Sequence, residues 1–192
     1  MHGQIPFYLK VLQLLPTDAL IIALKTLDIG PGDEVITVPN SYVATAQAIS
    51  LVGAKPVFVD VERVTMNMDL NRINNLINTN TKAVIPVHLF GFPVDIFKLR
   101  NIVGDDIKII EDCAQAHGGR CSSGPVGSFG DAASFSFCQD KIMSTGGEGG
   151  MACFKKKEDA ERAWSWRDHG KISPSNSMRT VEGLGTNLRM TG

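Results

Sequence analysis

The chain has 192 residues, of which 43% are hydrophobic, so it can bury one sizeable core but hardly two. Its 19 basic and 20 acidic residues give a formal net charge of −1 and are scattered along the chain, which argues against binding to nucleic acid or to an acidic membrane surface. No apolar run approaches the roughly 20 residues of a membrane-spanning helix, and the apolar stretch near the start lacks the flanks of a signal peptide. We expect a cytoplasmic protein with a small-molecule ligand.

Cysteine and histidine spacing argues against both a disulfide framework and a zinc site. The four cysteines form no CxxC pair and do not combine with the four histidines into a zinc-binding pattern. We therefore expect reduced, mostly buried thiols and no metal. The cysteines are Cys113, Cys121, Cys138 and Cys153.

The first half of the chain alternates predicted helices and strands. The segment TDALIIALKTL has apolar residues at helical spacing, and Thr17 is predicted as its N-cap. Turn residues and apolar runs divide the rest of this half into short elements. In chain order the elements are a helix at 17–27, a strand at 34–38, a helix at 43–52, a strand at 56–61, a helix at 70–77 and a strand at 83–89.

The second half continues the alternation and then changes. The predicted elements are a short helix at 95–102, strands at 107–110, 131–137 and 150–154, and a charged helix at 156–170. The polar, Gly-rich end of the chain, 171–192, is predicted as a loop. Short apolar strands separated by helices predict an α/β fold, a three-layer sandwich with a mostly parallel central sheet.

Four polar side chains are predicted at the edge of the sheet where open parallel sheets bind their ligands. Asp112 and Gln115 follow the strand that ends at residue 110. Ser136 lies at the end of the strand 131–137, and Lys141 lies in the turn behind it. An acid, an amide, a hydroxyl and a lysine are therefore expected to converge on one rim.

This set of residue types suits the chemistry of pyridoxal 5'-phosphate (PLP). A lysine at the mouth of a sheet can act as a Schiff-base nucleophile, and a carboxylate such as Asp112 can keep the pyridine nitrogen protonated. A phosphate needs hydroxyls and helix N-terminal N–H groups, which Ser136 and a helix start at Thr17 and Asp18 offer. The Gly-rich run at 146–150 would let the backbone turn sharply beside the cofactor.

Each of these features also has an ordinary structural interpretation. An acid after a strand is commonly a helix cap, a strand serine is commonly solvated, and a single lysine is seldom functional. His88, in the strand predicted at 83–89, could be a satisfied, half-buried histidine or a wall of the site.

Several sequence motifs, taken in their order along the chain, indicate a protein family more specifically than any single residue does. They include TDAL, GPGDEVITVPNSYVATAQAI, IIEDCAQAHGG, GSFGDAASFSFCQDKIMSTGGEGGM and WRDHGK. Together they closely resemble the DegT/DnrJ/StrS family of PLP-dependent sugar aminotransferases, of the fold-type I aspartate aminotransferase superfamily. The likeness runs from about Thr17 to Met190.

The resemblance implies roles for individual residues. Lys141 matches the lysine that binds the cofactor covalently, Asp112 the partner of the pyridine nitrogen, and Gln115 the residue over the phenolic oxygen. Tyr42 matches the aromatic residue stacked on the pyridine ring. The phosphate ligands would be Thr17, Asp18, Ser136 and, reaching the cofactor of the partner subunit, Asn187. The last role implies a homodimer with shared active sites.

The chain departs from the family pattern at both ends. Pro16 stands where the family usually has a glycine, and residues 1–16 form an atypical N-terminal segment. Residues 17–192 correspond to the PLP-binding large domain, without the small C-terminal domain that follows in the family. The expectation is that residues 1–192 made alone are inactive.

The resemblance implies transfer of an amino group from an amino acid, L-glutamate by preference, to a keto group of a nucleotide-linked sugar. The route would pass through pyridoxamine phosphate and serve lipopolysaccharide or antibiotic sugar synthesis. Alternatives are an inactive fragment or a regulatory or interaction module derived from the family. Sugar dehydration would require a histidine in place of Lys141, and a nicotinamide-binding domain would require a G-x-G-x-x-G that is absent.

Overall fold

Helices and strands alternate along residues 15–170, the part of the chain that this computed structural model describes. The α-helices are α1 (Pro16–Thr26), α2 (Ala44–Leu51), α3 (Ile96–Val103) and α4 (Lys157–Arg167). The strands are β1 (Glu34–Thr37), β2 (Lys55–Phe58), β3 (Thr81–Val84), β4 (Lys108–Asp112), β5 (Arg120–Cys121), β6 (Gly124–Pro125), β7 (Ala132–Ser136) and β8 (Gly150–Phe154). Two 3-10 helices span Leu70–Asn75 and Leu89–Gly91.

Six strands form one sheet in the order β2-β1-β3-β4-β7-β8. All neighbours are parallel except β8, which runs antiparallel to β7. The mostly parallel sheet is thus confirmed. Strands β5 and β6 form a separate antiparallel hairpin that the sequence did not predict.

Both faces of the sheet are covered by helices. Successive strand residues point to opposite faces, and Val35 and Ile110 join the apolar cluster formed with α1, α2 and α4. Their neighbours Ile36 and Ile109 join the other cluster, with α3. The molecule therefore has the predicted three layers, with one core on each side of the sheet.

Helix α3 illustrates how the local sequence defines an element. Its buried residues Ile96, Leu99 and Val103 recur at helical spacing. The Asp95 side chain accepts a hydrogen bond from the Lys98 backbone N–H and so caps the start. This amphipathic helix covers the face of the sheet opposite α1.

The predicted N-cap at Thr17 is wrong, because α1 begins at Pro16 and its N-cap is Leu15. Proline suits the first helical position, since its fixed φ is helical and its missing N–H would have no intrahelical partner there. The Asp18 carboxylate accepts a hydrogen bond from the Leu15 backbone N–H. This acidic half of a capping box stabilises the helix start in place of a threonine cap.

Two predicted elements are shorter or tighter in the structure. The helix predicted at 70–77 is the 3-10 helix Leu70–Asn75, because its three asparagines favour turns over helix interiors. The strand predicted at 83–89 ends at Val84. Pro86 follows two residues later and has no N–H to extend a sheet ladder.

The remaining predicted strands and helices are present, with ends shifted by at most three residues. Asp112 is the last residue of β4, whereas the strand was predicted to end two residues earlier, at residue 110. The four thiols are free, as expected, and two of them are buried. Among the described helices, none has the length and apolar character needed to cross a bilayer. The predicted loop at 171–192, including Asn187, lies outside the described residues.

Candidate active site

A cavity of about 570 Å³ opens at the carboxyl ends of β4 and β7, beside the start of α1. Every predicted site residue within 15–170 lines it: Thr17, Asp18, Tyr42, Asp112, Gln115, Ser136 and Lys141. The structure therefore brings together residues that are up to 124 positions apart in the chain, counted from Thr17 to Lys141.

Asp112 lies at the inner end of the cavity and is almost completely buried. One carboxylate oxygen accepts a hydrogen bond from the Ala114 backbone N–H (3.1 Å), and the other accepts one from the Thr45 hydroxyl (2.8 Å). Burial raises the pKa of Asp112, although these hydrogen bonds act in the opposite direction. Within the described part of the chain no basic side chain forms an ion pair with it. The cavity thus offers a buried acid that a cationic ligand would stabilise.

Lys141 enters the cavity from the turn that follows β7. Its ammonium group lies 3.3 Å from an Asp140 carboxylate oxygen, and the side chain is only 22% exposed. The turn is closed by a hydrogen bond from the Lys141 backbone N–H to the Cys138 carbonyl (3.0 Å). A partly desolvated amine and a buried acid therefore share one cavity.

The start of α1 forms a second polar corner of the cavity. Thr17 and Asp18 lie in the first turn, where the helix dipole favours a bound anion. Burial raises the pKa of Asp18, against the hydrogen bond from Leu15. On β7, the buried Ser136 hydroxyl oxygen accepts a hydrogen bond from the Cys138 backbone N–H (3.4 Å) and keeps its proton for a ligand.

The Gly-rich run contributes by close packing against this helix start. A Cβ added at Gly150 would lie 2.8 Å from the Leu15 carbonyl oxygen and 3.0 Å from Pro16 Cα. Only glycine lets β8 approach α1 so closely. The run was predicted to pass close to a ligand, and at Gly150 its close neighbour is the backbone of α1.

Gln115 and Tyr42 also line the cavity. The Gln115 side-chain oxygen accepts a hydrogen bond from the Phe90 backbone N–H (2.9 Å), so its amide NH₂ is the end left to serve a ligand. The Tyr42 side chain is 73% exposed at the mouth. An exposed aromatic ring at a cavity mouth provides a flat surface for a planar ligand.

Sequence reasoning missed Thr45, which lines the cavity and bonds directly to Asp112. The sequence could have indicated Thr45, because it lies three residues after Tyr42 in NSYVAT. This spacing places both residues near the start of one helix. Four further polar lining residues, Ser134, Cys138, Asp140 and Glu148, were also not singled out as site residues.

A buried cluster of His88, Glu111 and Cys113 lies beside the cavity, and its potential metal-ligand atoms are within 4.8 Å of one another. Glu111 and Cys113 flank Asp112 in sequence and therefore point to the opposite face of the sheet. His88 is fully buried and does not line the cavity, so the wall interpretation is wrong. It accepts a hydrogen bond from the Val94 backbone N–H at Nδ1, which leaves the proton on Nε2 for Glu111 (2.9 Å).

The Glu111 carboxylate is saturated with hydrogen bonds. Besides the imidazole, it accepts the backbone N–H groups of Gly127, Phe129 and Gly130 at 2.6 to 2.8 Å. Burial alone would raise the pKa of Glu111, but these donors outweigh it and lower the pKa. The lone pairs of the Glu111 oxygens that a metal would need already accept these hydrogen bonds. We therefore infer that the cluster holds the loop before β7 in place.

Comparison with known proteins identifies relatives of this chain. The model of the DegT/DnrJ/EryC1/StrS aminotransferase family matches residues 16–192. A UDP-N-acetyl-3-dehydro-alpha-D-glucosamine 3-aminotransferase of Acidithiobacillus ferrooxidans is 44% identical over 155 residues, which are 80% of this chain and 42% of that protein.

Solved structures give the same relationship. The aminotransferase from Psychrobacter cryohalolentis matches with a TM-score of 0.87 at 39% identity, over 93% of this chain and 47% of that one. NtdA from Bacillus subtilis, solved with bound cofactor PMP, matches with a TM-score of 0.85 at 31% identity, over 94% of this chain and 40% of that one. The chain spans less than half the length of each of these proteins. It belongs to the DegT/DnrJ/EryC1/StrS aminotransferase family.

Proposed function

We propose that the protein is a PLP-dependent aminotransferase that moves an amino group from an amino acid to a keto group of a nucleotide-linked sugar. The observation that carries the proposal is the pairing, in one cavity, of a buried acid that forms no ion pair within residues 15–170 and a partly desolvated lysine. Family membership supplies the reaction class.

The cavity fits PLP group by group. Asp112 would pair with the pyridine nitrogen, because a protonated ring supplies the positive charge that the buried carboxylate lacks. The phosphate would lie at the start of α1, held by Thr17, the Asp18 backbone and Ser136, since a helix N-terminus favours an anion. Tyr42 would cover the ring, and the Gln115 amide would donate to its phenolic oxygen.

The residues of the chain then have distinct tasks in the reaction. Bound PLP supplies an electron sink for the carbanion at the substrate carbon and carries the amino group between the two half-reactions. Lys141 Nζ would hold the cofactor and afterwards accept and return the proton at the substrate carbon, as general base and acid. Asp112 would keep the ring nitrogen protonated throughout, and Tyr42 would limit the tilt of the ring.

The substrate class follows from a relative, so it is a proposal for this chain. The relative in Acidithiobacillus ferrooxidans is named for a UDP-linked dehydro sugar, which carries a keto group. L-Glutamate is the proposed amino donor, and lipopolysaccharide or antibiotic sugar synthesis is the proposed setting. We also propose that 17–192 forms the cofactor-binding large domain of a cytoplasmic homodimer, in which Asn187 reaches the partner's cofactor.

Cofactor binding and half-reactions test the proposal. The purified complete protein is titrated with PLP and followed by absorbance, and is then given L-glutamate or UDP- and dTDP-linked keto-sugars. We expect a PLP-bound spectrum that L-glutamate converts to that of the amine form, with 2-oxoglutarate released. Lys141→Ala should abolish the conversion, whereas Lys155→Ala, outside the cavity, should leave it intact. A protein that binds no PLP would favour the regulatory-module alternative.

A further inference from the structure

The Thr45 hydroxyl links helix α2 to the acid at the inner end of the cavity. Its Oγ1 donates to Asp112 Oδ2 at 2.8 Å, across 67 positions in the chain, and both side chains are buried. The Ser41 hydroxyl oxygen lies 3.4 Å from the same Thr45 oxygen. Because Thr45 gives its single hydroxyl proton to Asp112, Ser41 is the donor in that second contact. A chain of two hydroxyls thus ends on the carboxylate.

Thr45 is the second residue of α2 and has no helical carbonyl four positions earlier, unlike hydroxyl residues further along a helix. Such residues commonly donate to the backbone carbonyl four positions earlier. Ser50, in the same helix, does so, because its hydroxyl donates to the Ala46 carbonyl at 3.2 Å. Thr45 instead donates to an acid in the central sheet. The hydrogen bond therefore depends on the tertiary structure and serves Asp112 specifically.

The two donors to Asp112 leave part of its acceptor capacity for a ligand. A carboxylate has about four acceptor positions, and the described part of the chain places one donor on each oxygen. The Ala114 N–H on one side and the Thr45 hydroxyl on the other therefore define the plane of the carboxylate. Its remaining acceptor positions are available to a donor in the cavity.

We propose that Thr45 is a positioning residue that orients the Asp112 carboxylate towards the cavity and favours its charged form. The proposal rests on the proposed function in one respect, since the cationic donor that Asp112 receives would be the pyridine nitrogen of PLP. Thr45 does not need to touch the cofactor. Its effect reaches the ring through Asp112.

The electrostatic balance at Asp112 makes the Thr45 hydrogen bond important. Burial raises the pKa of Asp112, and the Ala114 N–H and the Thr45 hydroxyl are the two largest influences that lower it. Lys141 acts in the same direction at longer range. Loss of the hydroxyl should therefore raise the pKa of Asp112 further, and a neutral carboxyl group cannot balance a pyridinium charge.

The first experiment measures this effect in the cofactor-free protein, where it does not depend on PLP chemistry. The pKa of the Asp112 carboxyl is determined by carbon-13 NMR in wild type, Thr45→Val and Thr45→Ser. Val keeps the shape without the hydroxyl, and Ser keeps the hydroxyl. We expect a higher pKa in Thr45→Val and a nearly unchanged one in Thr45→Ser. An unchanged pKa in Thr45→Val overturns the proposal.

The second experiment uses the PLP-loaded enzyme and separates a local effect from general damage. Thr45→Val should lose about ten- to hundred-fold in kcat, the equivalent of one hydrogen bond to a charged group, with little change in the KM for the amino donor. Its PLP absorbance should show a ring nitrogen that loses its proton at lower pH. Thr45→Ser should restore both. Wild-type kcat and ring titration in Thr45→Val would also overturn the proposal.

Matched variants distinguish the loss of this hydroxyl from the loss of a buried threonine in general. Thr26 is a buried threonine of α1 whose hydroxyl oxygen has no partner in the described structure, so Thr26→Val should change neither measurement. If Thr45→Val does not fold, Thr45→Ala is compared with Thr45→Ser, which differ only in the hydroxyl. If wild type binds no PLP, the proposed function fails, and the NMR comparison still decides whether Thr45 controls Asp112.

Discussion

Replacing Glu111 by glutamine is expected to destabilise the protein strongly, although the two side chains have nearly the same shape. Each Glu111 oxygen accepts two hydrogen bonds. An amide nitrogen cannot accept a hydrogen bond, and it would face two donors in either orientation of the glutamine. One orientation sets it against Phe129 and Gly130, and the other against Gly127 and His88.

The magnitude follows from the number of donors that lose their acceptor. Two hydrogen bonds to a charged group are lost, at about 1.5–3 kcal/mol each, and the site is buried. We expect the free energy of unfolding to fall by about 3–6 kcal/mol, a large part of the roughly 5–15 kcal/mol typical of a domain. Glu111 is charged in the folded state with a lowered pKa. Its contribution should therefore be complete above its ordinary value of 4.5 and disappear as the pH falls through the folded pKa.

Urea unfolding followed by the fluorescence of Trp164 and Trp166 measures the difference. The control is Glu161→Gln on α4, where the carboxylate is 49% exposed and 3.8 Å from Lys157. That change should cost less than about 1 kcal/mol. A loss below about 1 kcal/mol for Glu111→Gln at neutral pH would refute the assignment of Glu111 as the anchor of the loop before β7.

Three further changes test the cavity. Asp112→Asn should abolish most turnover, which a transamination assay measures. It should also leave the cofactor-free protein as stable or more stable at neutral pH, as urea unfolding would show. The reason is that the pKa of Asp112 is raised in the folded state, so the charged acid destabilises the fold as the pH rises above 3.8. Gly150→Ala should displace the start of α1 and weaken PLP affinity at least ten-fold in a binding titration, whereas Gly30→Ala, where an added Cβ would meet only the Val52 carbonyl oxygen at 3.7 Å, should leave PLP affinity unchanged. Tyr42→Ala should weaken PLP binding, while Tyr42→Phe should retain it, since stacking needs the ring and not the hydroxyl.

The position of the cavity could be predicted because it depends on the sheet. The carboxyl ends of parallel strands meet at one edge, and β4 and β7 are neighbours in the sheet. Asp112, at the end of β4, and Lys141, shortly after β7, were therefore expected on the same rim. Local patterns of apolar and turn residues were enough for this step.

The contacts around the acid could not be predicted in the same way. The partner of Thr45 lies 67 positions away, and no local pattern shows which helix face meets which strand end. The start of α1 was misplaced because the preference of proline for the first helical position outweighs the capping preference of Thr17. The loop at 127–130 is held by the buried Glu111, whose side chain a strand pattern predicts as an ordinary alternate residue.

The central claim is that Lys141 binds PLP covalently, and reduction with borohydride tests it most directly. The complete protein is loaded with PLP, reduced, digested and mapped by mass spectrometry. We expect the pyridoxyl group on the peptide that contains Lys141, with none on that peptide in Lys141→Ala. Labelling of Lys155, Lys156 or Lys157 instead, or no stable label at all, would contradict the assignment of Lys141.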